Sequence, residues 1–444
     1  MATEKMYDIV ILGATGYTGR CAVEHVYTNI PTNVKWAVAG RSQQKLGDLI
    51  DQLQRSHPDR QHPGIEIVEL NDQDLDRLAK KTRAIINAVG PYHMYSTPVV
   101  EACAINGTHY FDVTGETPWY YDILQKYEKT AKGSGAIIVP AIGLESFPTD
   151  IIAYLAATRL RQVHDTSIQH LTSCVYRLRS GGLSHGTTLT ALTLTKSYPL
   201  SHLHKTLQPY SLSSTSSNTP KTPSHRPLLS RLLGPFSLSP FPGYLTTSPT
   251  STSNICVSHR TSCLLSPALY SPSFRLEEYL RVPNLLLGTL AHITLTTLSF
   301  LILLPPIRWL LIKLLVTSPG SGPTDLSNRN SFLDIRGLGI GADTSPLQNN
   351  PQKVLSRLTY NSHMYQMSGV LMVECAMSVL NNDGAEKVRR KRFGSSSAAA
   401  ENDDDDDDKG QGGILTGACL AESTDLLDRL KNVGFTFEVE DFDG

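Results

Sequence analysis

The apolar residues in the first third of the chain fall into short, unbroken runs separated by amphipathic stretches. Ile9, Val10, Ile11 and Leu12 make a run too short for a helix, rich in β-branched side chains and stopped by a glycine. Such a run suits a strand buried on both faces of a parallel sheet. Val34–Ala39, Ile65–Leu70, Ala84–Val89, Tyr110–Thr114 and Ala136–Pro140 read as further strands. Between them, Cys21, Ala22, Val23 and Val26 open a helical pattern, and Gln43–Leu53, Asp72–Lys81, Val99–Asn106 and Tyr120–Lys132 carry helical periodicity. Strand and helix alternate throughout, which predicts an α/β fold with a doubly wound parallel sheet over residues 1–155.

The pattern then changes. Val175–Ser180 reads as a strand, and Ser180-Gly181-Gly182 with His185-Gly186-Thr187-Thr188 as a small-residue turn into a helix, opening a second, α+β domain at 156–197. From 198 to 272 Ser, Thr, Pro and Leu dominate, and prolines interrupt every candidate element, so a low-complexity, disordered or loosely packed insertion is expected. No Asp or Glu occurs between Asp165 and Glu277, a composition that translated intron would also give.

Leu285–Leu304 is uncharged, with His292 its one titratable side chain, and is long enough to cross a bilayer core. Pro305-Pro306 break it, and Ile307–Val316 follows with Arg308 and Lys313. A helix, a break and a short basic-apolar helix over 285–316 predict an apolar hairpin in one leaflet or on a droplet monolayer. A buried helix pair or a homodimer face is the alternative. Beyond a turn-rich linker at Ser318–Pro323, residues 324–444 return to the second domain. They carry strands at Phe332–Leu338, Lys353–Leu358 and Phe435–Val439, a buried helix at Met367–Leu380, and a helix at Leu420–Lys431. Glu374 reads as a paired structural carboxylate. The basic Lys387–Arg392 and acidic Asp403–Asp408 runs read as a disordered charged loop, 384–412.

Composition narrows the function. The chain has 444 residues, a formal net charge of −1 and seven cysteines without metal-ligand spacing. No field favours nucleic acid, no metal site is indicated, and the thiols read as reduced and packed. The N-terminal MATEKMYD has no apolar targeting region, so the expectation is a protein on the cytoplasmic side and not secreted.

The chemistry gathers where the predicted strands end. Gly13, Ala14, Thr15, Gly16, Tyr17, Thr18 and Gly19 place a glycine turn between a strand and a helix start. That order makes an anion cradle, with backbone close to a phosphate and helix N–H groups aimed at it. A glycine turn without a ligand is the alternative. At the end of the second strand stand Arg41 and Ser42, with no carboxylate before Asp48, which favours NADP over NAD. The other reading is a helix-capping serine beside a solvated arginine. Ala88, Val89, Gly90 and Pro91 end a further strand and should line the ribose and pyrophosphate.

Five motifs in order, GATGYTGR, AGRS, NAVGPYHMYSTPVVEAC, GTHYFDVTGE and PAIGLESFPTD, resemble the saccharopine dehydrogenase-like oxidoreductases, a family that includes lipid-droplet-associated members and trans-acting enoyl reductases. The resemblance implies an NAD(P)-binding Rossmann domain and an α+β domain closing over the nicotinamide, without implying saccharopine as substrate. The expected function is an NADP-dependent oxidoreductase acting on a hydrophobic, lipid or polyketide-like small molecule at a membrane or lipid-droplet surface. A non-catalytic NAD(P)-binding scaffold on lipid is the competing expectation, and the nonfunctional product of a disrupted gene a third. Tyr92, His93, Glu116 and Asp150 are candidate proton donors because they sit at or beyond strand ends, but no motif assigns the catalytic residue.

Overall fold

The computed structural model describes residues 5–213, 228–265, 267–342, 351–381, 383–393 and 412–443. Six strands of the N-terminal part, β1 (Tyr7–Leu12), β2 (Trp36–Gly40), β3 (Gly64–Ile67), β4 (Thr82–Asn87), β5 (His109–Asp112) and β6 (Ile137–Val139), lie parallel in one sheet. A second sheet contains β7 (Ile168–Arg179), β8 (Phe236–Leu238), β9 (Phe241–Thr247), β10 (Tyr270–Val282), β11 (Phe332–Gly341) and β12 (Lys353–Tyr360). Two late strands divide between the sheets. β13 (Gly413–Ile414) joins the first beside β6, and β14 (Phe435–Asp441) edges the second beside β12. The strand orders are β13-β6-β5-β4-β1-β2-β3 and β14-β12-β11-β7-β10-β9-β8, the latter mixed, with β10 and β7 parallel.

Alternating residues of β1 explain its unbroken apolar run. Ile9 and Ile11 enter one core with helices Tyr17–Asn29 and Gln43–Ser56, while Val10 and Leu12 enter the other with Asp72–Lys81, Thr97–Asn106 and Thr117–Ser134. Helices therefore cover both faces of the first sheet, the doubly wound arrangement expected from the sequence. The helix Met364–Leu380 is buried nearly all round, and its Glu374 meets His25 Nε2 at 2.7 Å and Arg429 Nη2 at 2.8 Å. The carboxylate is structural and paired, as its place in an apolar helix requires. The helix Phe147–His164, which sequence periodicity did not single out, packs against β7, β11 and β12.

The middle departs most from expectation. Within 198–272, residues 214–227 and 266 lie outside the described residues, but much of what is described is folded. β8, β9, the helix Ser251–Leu265 and the start of β10 belong to the second sheet and its cover. Cys256, Val257 and Phe274 are buried there. The acid-free composition fits burial rather than disorder. Asn254, Ser258, Thr261 and Ser262 are small polar groups held inside, and Asn254, Ser248 and Thr250 all donate to the buried carboxylate of Glu278. The charged loop 384–412 also differs. Gly384–Phe393 is a helix carrying the basic run, while the acidic run lies outside the described residues. Leu420–Lys431 is two short helices, Gly417–Ser423 and Leu426–Asn432. Six of the seven cysteines are buried.

The hairpin forms as two helices, Leu285–Leu303 and Pro305–Leu315, parted at the Pro-Pro step. Within the first, Leu285–Ile302 is the one helical stretch among the described residues long and apolar enough to cross a membrane.

Candidate functional site: a glycine cradle and a buried acid–base pair

The cradle is built by close approach. Gly13 has φ +80°, a left-handed conformation that side chains rarely adopt, and a Cβ there would stand 2.8 Å from Val89 Cγ2. A Cβ on Gly19 would come within 2.2 Å of the Gly13 carbonyl oxygen. Only hydrogen at both positions lets the turn fold against the helix Tyr17–Asn29. That helix begins after Gly16 with no side chain capping it, so its first-turn N–H groups and positive dipole end point past the carboxyl edge of the sheet.

The neighbouring strand ends join the same edge. Gly13 N donates to Ala39 O at 3.0 Å and Ala88 N to Leu12 O at 2.9 Å, which ties the ends of β2 and β4 to the turn. Ala14, Thr15 and Thr18 belong to this turn and helix start, and Val89, Gly90 and Pro91 run beside it. Asn87 fixes that second loop. Its Nδ2 donates to Ser96 Oγ (2.8 Å) and Tyr110 OH (2.9 Å), and its Oδ1 accepts from Val89 N (3.1 Å). Arg41 is exposed just beyond β2, while the Ser42 hydroxyl accepts from Lys45 N and caps Gln43–Ser56. Ser42 thus has the capping role. Tyr17 turns toward the second domain, donating to Pro323 O at 2.6 Å and stacking edge-on with Tyr365.

Of the four candidate proton donors, two meet. His93 Nδ1 and Glu116 Oε2 are 2.5 Å apart, with side chains 1% and 0% exposed. Glu116 also accepts from the backbone N–H groups of Tyr92 (2.8 Å) and His93 (2.7 Å), so the β4 and β5 ends clamp its carboxylate in one orientation. Thr190 Oγ1 donates to Glu116 Oε1 at 3.3 Å, and Thr193 Oγ1 lies 3.5 Å from His93 Nε2. Both threonines stand on the helix His185–Ser197, which covers the pair. Sequence reading quoted the turn into this helix but missed its threonines, because Thr-rich helices carry no catalytic signature.

The other two candidates serve structure. Tyr92 OH donates to Asn87 O at 3.3 Å, and burial pushes its pKa well above the ordinary value. Asp150 accepts from Thr261 Oγ1 (2.6 Å) and Ala418 N (3.0 Å), and burial pushes its carboxyl up to about 7. Asp112 and Glu145 are likewise raised to about 7, burial being the main cause in each. Neither was singled out from the sequence. Among the described residues no group of His, Cys, Asp or Glu is arranged to hold a metal ion.

The family model for the saccharopine dehydrogenase NADP binding domain matches residues 9–139. A Caenorhabditis elegans protein named lipid droplet localized protein is 34% identical over 175 residues, covering 39% of this chain and 40% of that one. The human saccharopine dehydrogenase-like oxidoreductase is 36% identical over 162 residues, covering 34% and 38%. A Mycobacterium tuberculosis protein with the provisional name trans-acting enoyl reductase is 28% identical over 404 residues, covering 87% and 92%. The chain spans less than half the length of the first two and most of the third. The glycine cradle, a surface that added side chains would fill, fits a dinucleotide diphosphate on structural grounds alone. Residues 9–139 match the saccharopine dehydrogenase NADP-binding domain, and the chain is similar to proteins named saccharopine dehydrogenase-like oxidoreductase, lipid droplet localized protein and trans-acting enoyl reductase.

Proposed function

We propose that the protein is an NADP-dependent oxidoreductase that reduces a hydrophobic substrate at a lipid surface, with His93 and Glu116 as its acid–base pair. The observation that carries this reading is the 2.5 Å contact of His93 with Glu116 at the carboxyl edge of the sheet that bears the glycine cradle. Gly13–Gly19 would hold the diphosphate, Arg41 and Ser42 the 2′-phosphate, and Ala88–Pro91 the ribose. When bound, NADPH supplies a hydride.

His93 is the proton donor in this reading. Glu116 fixes the ring through Nδ1, leaving Nε2, beside Thr193 Oγ1, as the nitrogen that gives up a proton. Helix His185–Ser197 keeps bulk water from the pair. The exposed hairpin 285–315 and the droplet-named relative support a lipid surface as the place of action. The test is NADPH oxidation by the full chain against a panel of enoyl and keto lipids, with His93→Gln as control. Turnover lost in the variant while NADPH still binds is expected. Tight NADPH binding with no turnover on any member of the panel would replace the enzyme with the scaffold reading.

A further inference from the structure

The helix that closes off His93 and Glu116 is itself lightly held. Leu192 is the single buried residue among the 13 of His185–Ser197. Toward the pair its contacts are long, Thr190 Oγ1 to Glu116 Oε1 at 3.3 Å and Thr193 Oγ1 to His93 Nε2 at 3.5 Å. With side chains 1% and 0% exposed, His93 and Glu116 can meet another molecule only when this cover shifts. A helix that buries so little apolar surface belongs to the part of a fold that opens locally at low cost.

Its amino-terminal end is fastened more tightly. Tyr365 OH accepts from Ser184 N at 2.6 Å and lies 3.1 Å from Thr187 Oγ1. His185 N donates to Ser321 O at 3.1 Å, and His185 Nδ1 stands 2.6 Å from Thr317 O. Both fastenings lead to one side chain of the cradle, Tyr17. Tyr365 stands edge-on to the Tyr17 ring, with centroids 5.0 Å apart. The linker that carries Thr317 and Ser321 continues to Pro323, whose carbonyl accepts from Tyr17 OH at 2.6 Å. Gly322 packs so closely on the Tyr17 ring that a Cβ would come within 2.5 Å of it, and Asn328 Nδ2 donates to the Tyr17 hydroxyl at 3.1 Å.

Tyr17 is the first residue of the helix on whose start the diphosphate rests in the reading above. We propose that Tyr365 is a positioning residue: joined to Tyr17 on one side and Ser184 on the other, it makes a dinucleotide in the cradle hold helix His185–Ser197 closed over His93 and Glu116. This rests on the dinucleotide part of that reading and not on its substrate. A nucleotide that pins the glycine turn pins the backbone of Tyr17. The ring then keeps Tyr365 and the linker where they hold Ser184 and His185, so the closed state is the one the nucleotide favours. By linkage, the closed cover tightens the nucleotide by the same factor. Water is then kept from the pair when the hydride donor is in place.

The experiment is hydrogen–deuterium exchange on the full chain, alone, with NADPH and with 2′-phospho-ADP-ribose, a fragment that fills the cradle but has no nicotinamide. Calorimetry checks that each ligand binds. Both are expected to slow exchange across 186–196 by about fivefold or more, the low end of ordinary coupling between sites. Tyr365→Phe keeps a ring against Tyr17 and removes the oxygen that accepts from Ser184. In this variant the slowing across 186–196 is expected to shrink to about twofold or less, while nucleotide still protects the turn at 14–20. NADPH that binds the wild type without slowing 186–196 would overturn the inference and leave the dinucleotide reading standing. Equal slowing in wild type and variant, or slowing by NADPH and not by the fragment, would mean that the nucleotide acts on the cover directly, and overturns it too. Binding of neither ligand would remove the cradle reading and this inference together.

Discussion

His93 and Glu116 are carried by successive strand ends, β4 and β5, and their side chains meet at 2.5 Å with almost no exposure to solvent. The backbone N–H groups of Tyr92 and His93 hold the carboxylate with one oxygen on this imidazole and the other within reach of Thr190 Oγ1. Glu116→Gln keeps the shape and removes the charge partner. Turnover is expected to fall by about 10²-fold or more, the scale of general acid–base catalysis. The NADPH dissociation constant from calorimetry should stay within about threefold, since Glu116 is not in the cradle.

Gly19→Ala tests the cradle itself. Its Cβ would stand 2.2 Å from the Gly13 carbonyl oxygen, so turn and helix must part. Overpacking of this kind costs about 1–3 kcal/mol. Lost NADPH binding in a variant that still unfolds cooperatively is the expected result, checked by calorimetry beside thermal denaturation.

Arg41 is the cation nearest the end of β2, and no carboxylate replaces it there. Arg41→Ala should weaken NADPH by about 10–100-fold, the equivalent of one charge-assisted hydrogen bond, and leave NADH nearly unchanged. The ratio of the two dissociation constants is the quantity to measure, and it should shrink in the wild type as salt is raised.

Asp150 gives the stability a pH dependence of unusual sign. Its carboxyl is raised from an ordinary 3.8 to about 7, chiefly by burial, so the folded chain keeps a proton that the unfolded chain has lost. The native state binds more protons through this interval. Its contribution is full below the unfolded value and disappears as pH climbs through about 7. The Asp150 contribution should fall between about pH 4 and about pH 7, so the melting temperature of Asp150→Asn relative to the wild type should rise across that interval. Asp112 and Glu145 are raised in the same direction, while His109 and His259, lowered by burial to about 3 and about 4, act in the opposite sense.

Arg429 holds the second oxygen of Glu374, whose side chain is 4% exposed. Arg429→Met leaves that carboxylate with His25 alone and is expected to cost about 3–5 kcal/mol, read from chemical denaturation. Adding Glu374→Met should recover much of the loss, because an apolar pair removes the buried charge altogether.

The inner strands of the first sheet were legible because they are buried on both sides and leave unbroken apolar runs that end in glycine or polar turns, whereas the edge strand β3 exposes Ile65 and Ile67 and shows only alternation. The cradle was legible for the same reason, as its glycines punctuate the first of those runs. The second sheet hid its strands. β9 carries Pro242 and Gly243, and β10 mixes Pro272, Ser273 and Arg275 into a strand with one half-covered face, so neither shows a clean period of two. Ser251–Leu265 escaped notice because it buries Asn254, Ser258 and Thr261 where a core helix ordinarily shows leucine. The His93–Glu116 contact joins positions 23 apart in sequence, and strand order alone brings them side by side.

Strand β13 has a consequence for biosynthesis. Gly413 and Ile414 supply the seventh member of the nucleotide-binding sheet, Ile414 N donates to Glu128, and Arg260 donates to the Ile414 carbonyl. A nascent chain must therefore leave the edge of β6 unpaired until Gly413 and Ile414 have emerged from the ribosome. During that interval the half-made sheet is a template for strangers, and a holding chaperone at that edge would decide how much of the product ever folds.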